Sequence, residues 1–183
     1  SAPGAGARHR FMVTFALRDD LHPAALAAAF AGEGRLQIVD FLRHDGAMAL
    51  LRELAQSQAW RLAVNQGEQI ADYASAEIAG WPAERKAALD RRVVQDGRDR
   101  IQFRYETIRL PEYGTGSGQE APPILRRFVD FLCSDEVITF MRALTGASDI
   151  AFADGHASRY TEGHFLTAHD GSNVDMGWRA GLV

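Results

Sequence analysis

The chain has 183 residues, of which 46% are hydrophobic and 24% are charged, and its formal net charge is −4. These values predict one globular domain with a sizeable core, and the negative charge argues against nucleic acid as the main partner. No apolar run approaches the roughly 20 residues that a membrane helix needs, and the N-terminus lacks a signal-peptide pattern, so we expect no membrane partner.

Cysteine usage indicates a reducing compartment. Cys133 is the single cysteine, so no intrachain disulfide can form, and we expect a cytoplasmic protein.

The first third of the chain predicts alternating strands and helices. Residues 1–10 are rich in Ala and Gly and are interpreted as a flexible tail, which leaves 11–183 as a single domain. The predicted elements are a strand from Phe11 to Leu17, a helix from Pro23 to Ala31, a strand from Arg35 to Leu42 and an amphipathic helix over residues 45 to 57, whose apolar face is Ala47, Leu50, Leu51 and Leu54.

A hairpin is predicted next. Trp60 to Val64 and Gln69 to Tyr73 flank a polar turn that includes Asn65 and Gln66. Those two side chains are interpreted as residues of a polar hairpin turn. A helix from Pro82 to Gln95 follows.

The clearest strand runs from Arg100 to Leu110. Alternation places Phe103 and Tyr105 on one face and Arg104 on the other. Arg104 or Tyr105 could bind an anionic group of a substrate, although surface placement also explains Arg104. The Gly- and Ser-rich segment from Glu112 to Pro123 is either a lid or a plain linker.

Two helices and a bent strand complete this part of the chain. The predicted helices are Ile124 to Leu132 and Asp135 to Leu144, the second with Gly146 past its end, and Ser148 to Tyr160 is predicted as the strand. An apolar face should pack beneath the sheet, formed by Phe128, Phe131, Phe140 and Met141.

The candidate chemistry lies near His169. A run of β-forming residues ends at this histidine and gives way to a polar loop, so its imidazole should stand at the end of a strand. Such a histidine is either a metal ligand or a hydrogen-bonded structural residue. His164 lies an odd number of positions away, on the opposite face of a regular strand, so we interpret it, like His156, as a structural or pocket residue.

From Arg159 to Asp170 the chain reads Arg-Tyr-x-x-Gly-x-Phe-Leu-x-x-His-Asp. This pattern resembles the iron-binding strand of the Fe(II)/2-oxoglutarate-dependent oxygenases, in the prolyl-hydroxylase-like branch that includes the prolyl dihydroxylases of ribosomal proteins. In that branch the tyrosine and the Phe-Leu pair recur together before the histidine. Upstream of Arg159, the chain agrees with the branch only in the order of its elements.

The resemblance implies a fold, cofactors and site residues. The fold would be α+β, a double-stranded β-helix or jelly roll with supporting helices. His169 would bind iron, and Tyr160 would donate its hydroxyl to a carboxylate of 2-oxoglutarate, whereas without the family match Tyr160 could equally be a core aromatic with an exposed tip. Two histidines and one carboxylate on Fe(II) leave room for the 2-oxo acid and dioxygen. The activity implied is hydroxylation of an aliphatic carbon in an amino acid, peptide or natural product. In the resembling family the hairpin region approaches the pocket, so the resemblance makes Asn65 and Gln66 substrate contacts as an alternative to turn residues.

Gly171 departs from the family pattern. It occupies the place of the carboxylate ligand, two positions after His169, and glycine offers no donor atom. In halogenating members of the superfamily Gly or Ala stands there and chloride fills the vacancy, which restores the negative charge. Loss of iron chemistry, residues missing from the sequence near 170 to 172, or a carboxylate from Asp170 or Asp175 would also account for it. Asp170 should point away from the face of His169.

The chain stops at Val183, inside the expected next strand. The family's distal iron-binding histidine and the arginine that holds the far carboxylate of 2-oxoglutarate have no counterpart, so we expect the C-terminal strands of the jelly roll to be missing from this sequence. Three functions stay open: a hydroxylase, a halogenase with halide beside Gly171, and a metal-free binding module.

Overall fold

The structure, a computed structural model, describes residues 13–66, 69–96, 102–110 and 121–167. In chain order its elements are α1 (Pro23–Glu33), α2 (His44–Gln56), β1 (Arg61–Gln66), β2 (Gln69–Ala74), α3 (Ser75–Ala79), α4 (Ala83–Asp96), β3 (Phe103–Arg109), α5 (Pro123–Leu132), α6 (Asp135–Thr145), β4 (His156–Arg159) and β5 (Phe165–Leu166). The described residues therefore form six helices and one antiparallel sheet of five strands, which confirms the α+β class.

Contacts between residues divide the chain into two compact units. The helical unit consists of Ser1–Gln56 and Leu110–Gly155, and the sheet unit consists of Ser57–Arg109 and His156–Val183. The single domain predicted over 11–183 stays a prediction, and the tail predicted over 1–10 lies outside the described residues.

The helices of the helical unit begin and end where local signals predict. Helix α1 starts with Pro23. At the start of α6 the Ser134 hydroxyl accepts a hydrogen bond from the Val137 amide at 3.4 Å. After its last residue, Gly146 adopts a φ of 74° and its amide donates to the Arg142 carbonyl at 2.9 Å. The predicted helices at both places are confirmed.

Aromatic rings fill the core of the helical unit. Phe15 lies 5.1 Å from Phe128 and 6.0 Å from Phe131 between ring centroids, and Phe41 lies 5.7 Å from Phe140. Three of the four residues predicted to pack beneath the sheet thus have ring contacts within the helical unit itself.

Two predictions in this unit are wrong. The strands predicted from Phe11 to Leu17 and from Arg35 to Leu42 reduce, among the described residues, to one isolated bridge between Leu17 and Leu42. The buried side of α2 is Gly46 and Ala49, whereas Leu51 is 58% exposed. The reason is steric, because a Cβ on Gly46 would come within 3.1 Å of the Phe15 ring, so the helix turns its smallest residue toward that ring.

The sheet unit has the strand order β2-β1-β3-β4, with β5 also paired to β3. The predicted hairpin is confirmed, since β1 and β2 are antiparallel with Arg61 opposite Ala74 and Gln66 opposite Gln69. The helix predicted from Pro82 to Gln95 is confirmed as α4.

One face of this sheet packs against α3 and α4. Leu62 and Val64 of β1 form a buried cluster with Trp81, Leu89 and Val93. Side chains directly opposite on paired strands point to the same face, so Glu106, opposite Leu62, and Arg159, opposite Glu106, belong to this helix-side face. Tyr105 alternates with Glu106 and belongs to the opposite face, as its sequence pattern predicts.

In the described part of the chain, no helix combines the length and the apolar composition needed to cross a membrane.

Candidate functional site

The pairing along β3 is interrupted at one point. Strand β4 pairs with Glu106 to Arg109, and β5 pairs with Phe103 and Arg104. Residues 160–164, which we call the insert, therefore lie between two paired segments whose only intervening β3 residue is Tyr105. Extra residues in one strand of a pair redirect side chains, and such bulges are frequent beside functional sites.

A tight turn closes the insert. The His164 amide donates to the Thr161 carbonyl at 2.9 Å, and the Thr161 amide donates to Nδ1 of His164 at 3.2 Å. Gly163 adopts a φ of 81°, a conformation that suits glycine. The placement of His164 on a regular strand is wrong, because His164 closes this turn and precedes β5.

Tyr160 is the predicted site residue that the structure describes. It directly follows the last residue of β4, its side chain is 49% exposed, and its ring stacks on Tyr105 with centroids 5.3 Å apart and planes 27° apart. No hydrogen bond joins its hydroxyl to another residue in the described ranges. A phenol with an exposed face and a free donor can bind an anion.

Tyr105 lies at the centre of a group of aromatic rings on the face of the sheet opposite the helix-side face. Besides Tyr160 it contacts His156 at 5.9 Å and Phe103 at 5.4 Å between ring centroids. Burial, and to a lesser extent the neighbouring Tyr160, raises the pKa of Tyr105 above its ordinary value, although Arg109 opposes the shift. Its phenol therefore stays neutral across the physiological range.

On the helix-side face, Arg159 is held by two partners. Its Nε and Nη2 donate to Oε2 of Glu106 at 2.8 and 2.7 Å, and its guanidinium lies 4.4 Å from the Trp60 ring centroid. Burial alone would raise the pKa of Glu106, but the nearby Ser75 hydroxyl and the hydrogen bonds and charge of Arg159 outweigh it, and the pKa is lowered. Sequence patterns did not predict this group.

Other predicted contacts have structural partners. Oδ1 of Asn65 accepts a hydrogen bond from the Phe103 amide at 3.3 Å, so this side chain connects β1 to the start of β3. Arg104 forms an ion pair with Asp90 of α4. The side chain of Gln66 lies outside the described residues.

His169 and Gly171, together with Asp170 and Asp175, also lie outside the described residues. The description ends at Thr167, where the pairing with β3 continues: the Thr167 amide donates to the Gln102 carbonyl, and the Thr167 hydroxyl accepts from the Gln102 amide, both at 2.9 Å. Within the four described ranges, no three His, Cys, Asp or Glu side chains are grouped so that they could hold a metal ion.

A cavity of about 790 Å³ lies elsewhere, in the helical unit. Phe41, Phe128 and Leu132 are among its lining residues, but its arginines already have carboxylate partners. Arg18 pairs with Asp20 and Arg43 with Asp19, each at 2.5 Å. Tyr160, the predicted site residue within the described ranges, does not line this cavity, so we assign the candidate site to the insert and the rings around it.

Comparisons with family models, with curated proteins and with solved structures give no match to this chain.

Proposed function

We propose that the protein is an Fe(II)- and 2-oxoglutarate-dependent oxygenase that hydroxylates an aliphatic carbon of an amino acid, a peptide or a natural product. The observation that supports this proposal best is the exposure of Tyr160. This tyrosine of the Arg-Tyr-x-x-Gly-x-Phe-Leu-x-x-His pattern presents a half-exposed ring with a hydroxyl that no described residue engages. The jelly-roll arrangement is part of the same proposal, and the antiparallel sheet is compatible with it.

In this proposal His169 and Tyr160 have different roles. His169 contributes an imidazole nitrogen to iron, and the Tyr160 hydroxyl donates a hydrogen bond to a carboxylate of 2-oxoglutarate. When bound, iron and the 2-oxo acid supply the oxidation of the C–H bond with dioxygen. Phe165 and Leu166, in β5, lead the chain from the insert toward His169.

The absence of a donor atom at Gly171 favours a second candidate activity. Gly171 has no donor atom where the family pattern places a carboxylate, and a chloride ion there would restore the missing negative charge. Halogenation of a C–H bond is therefore the alternative activity, with the same roles for His169 and Tyr160.

The proposal includes a cellular location. Cys133 is a free thiol, as expected in a reducing compartment, and we propose that the protein works in the cytoplasm on a small molecule or peptide.

Anaerobic spectroscopy tests the proposal. Fe(II) and then 2-oxoglutarate are added to the purified full-length protein, and we expect a visible charge-transfer band. His169→Ala should abolish the band. Tyr160→Phe should keep it but raise the 2-oxoglutarate concentration for half-saturation about tenfold or more, the effect of losing one hydrogen bond to a charged group.

A control variant and the response to chloride complete this test. Tyr73→Phe removes a phenol hydroxyl from β2, in the helix-side cluster, and should leave the titration unchanged. Chloride that shifts the band favours the halogenase, and a band indifferent to chloride favours the hydroxylase. Absence of any band in the wild-type protein would overturn both and leave a binding module.

A further inference from the structure

We propose that Tyr105 is a positioning residue that fixes the ring of Tyr160 for its anionic ligand. This inference rests on the proposed function, since it concerns how Tyr160 is held. Tyr105 itself need not touch the ligand.

The pairing of the strands leaves Tyr160 dependent on side-chain contacts. Its neighbour Arg159 is paired with Glu106, and regular pairing resumes only at Phe165, opposite Arg104. Within the insert, the described main-chain bonds close the turn from Thr161 to His164 and do not hold Tyr160 against β3. A side chain that is 49% exposed would otherwise sample several rotamers.

Tyr105 is suited to restrict that freedom. It is paired through the backbone with Ala63 of β1, a buried residue in the middle of the sheet. Its own ring also contacts the rings of Phe103 and His156. Stacked on Tyr105 at 5.3 Å, the Tyr160 ring has a fixed platform, and its hydroxyl extends from a defined place.

The neighbouring Arg159 anchors the insert from the other face. Its guanidinium is bound to Glu106 and stacked on Trp60, so the main chain directly before Tyr160 has little freedom to move. The backbone is thus fixed from the helix-side face and the ring from the opposite face. Holding a donor in place before the ligand arrives reduces the ordering cost of binding.

Three variants separate positioning from packing. Tyr105→Leu removes the ring, and Tyr105→Phe keeps the ring and removes only the hydroxyl. Tyr73→Leu removes a tyrosine ring from the helix-side face of the same sheet, where it packs on Trp81. We expect Tyr105→Leu to weaken 2-oxoglutarate binding about three- to tenfold, the effect of one side chain left to be ordered on binding, without changing Fe(II) binding. Tyr105→Phe should bind as the wild type does, and so should Tyr73→Leu, even if it is less stable.

A second readout needs no ligand. With fluorotyrosine incorporated, and the Tyr160 resonance assigned through Tyr160→Phe, the ¹⁹F spectrum of the ligand-free protein reports the surroundings of that ring. Tyr105→Leu should move the resonance toward its position in the unfolded protein, whereas Tyr105→Phe should not. Tyr105→Met, which also lacks a ring but has a longer side chain, serves if the leucine variant does not fold.

The outcomes distinguish this inference from the proposed function. If Tyr160→Phe leaves 2-oxoglutarate binding intact, the role assigned to Tyr160 fails, and the ¹⁹F spectra still decide whether Tyr105 holds the ring. A Tyr160 resonance that is unmoved by loss of the Tyr105 ring overturns the inference. So does an equal loss of 2-oxoglutarate binding in Tyr73→Leu, because general packing would then explain the effect.

Discussion

Glu106 and Arg159 connect β3 to β4 through side chains as well as through the backbone. The Glu106 side chain is 14% exposed and accepts from an arginine that is also stacked on Trp60. A carboxylate held in this way is stabilised in its charged form, which is why its pKa lies below the ordinary 4.5 despite burial. The pair therefore stabilises the strand from which Tyr160 emerges.

This pair makes the stability of the protein depend on pH. Because the pKa is lower in the folded state, the contribution of Glu106 should be complete above about pH 5 and should be lost as pH falls through its folded pKa, below 4.5. Glu106→Gln should lower the free energy of unfolding by about 1 kcal/mol at pH 7, since Arg159 is partly exposed and its charge is screened by solvent. Denaturant titrations from pH 3 to pH 7 measure the difference.

A matched control is Glu33→Gln, at the exposed end of α1. Its difference from the wild type should be small throughout the pH range. A Glu106→Gln difference that persisted undiminished at pH 3 would contradict the linkage.

The sequence could not predict this contact. Alternation along the strand correctly separates Tyr105 from Arg104, because it is a local property of an extended chain. Which residue faces Glu106 depends on register with a segment 53 residues away, and no local pattern specifies it. The contact between Tyr105 and Tyr160 escaped prediction for the same reason.

Among the elements, the helices were more predictable than the strands. Pro23 at the start of α1, and Ser134 and Gly146 around α6, act within one or two turns. The segments 11–17 and 35–42 have suitable β-forming residues, but their described parts form a single isolated bridge, between Leu17 and Leu42. A strand requires a partner along its length, and composition does not guarantee one.

Two glycines in different elements allow a test of this local reasoning. Gly163→Ala should lower the free energy of unfolding by about 1 to 2 kcal/mol, because an alanine with a φ of 81° is strained. Gly32→Ala, inside α1 and with no atom within 4 Å of the added Cβ, should raise it by up to about 1 kcal/mol. Thermal and denaturant unfolding of both variants measure the two changes, and equal changes would contradict the assigned backbone of the insert.

Over the whole chain, leucines in similar amphipathic helices differ widely in their exposed fraction. Leu125 is 1% exposed and Leu51 is 58% exposed, although both lie in amphipathic helices of the helical unit. Leu125→Ala should cost about 2 to 5 kcal/mol of unfolding free energy, whereas Leu51→Ala should change it by no more than about 0.5 kcal/mol. Equilibrium unfolding in urea measures both, and a large effect at Leu51 would contradict the assigned orientation of α2.

The division of the chain into two units has a consequence for how the protein is made. Strand β3 belongs to the sheet unit, but its neighbours β4 and β5 follow α5 and α6 of the helical unit. During synthesis, the edge of β3 that pairs with β4 and β5 stays unpaired until α5 and α6 have emerged from the ribosome. No single cut in the gene can release either unit intact, because each is made of two separate stretches of the chain.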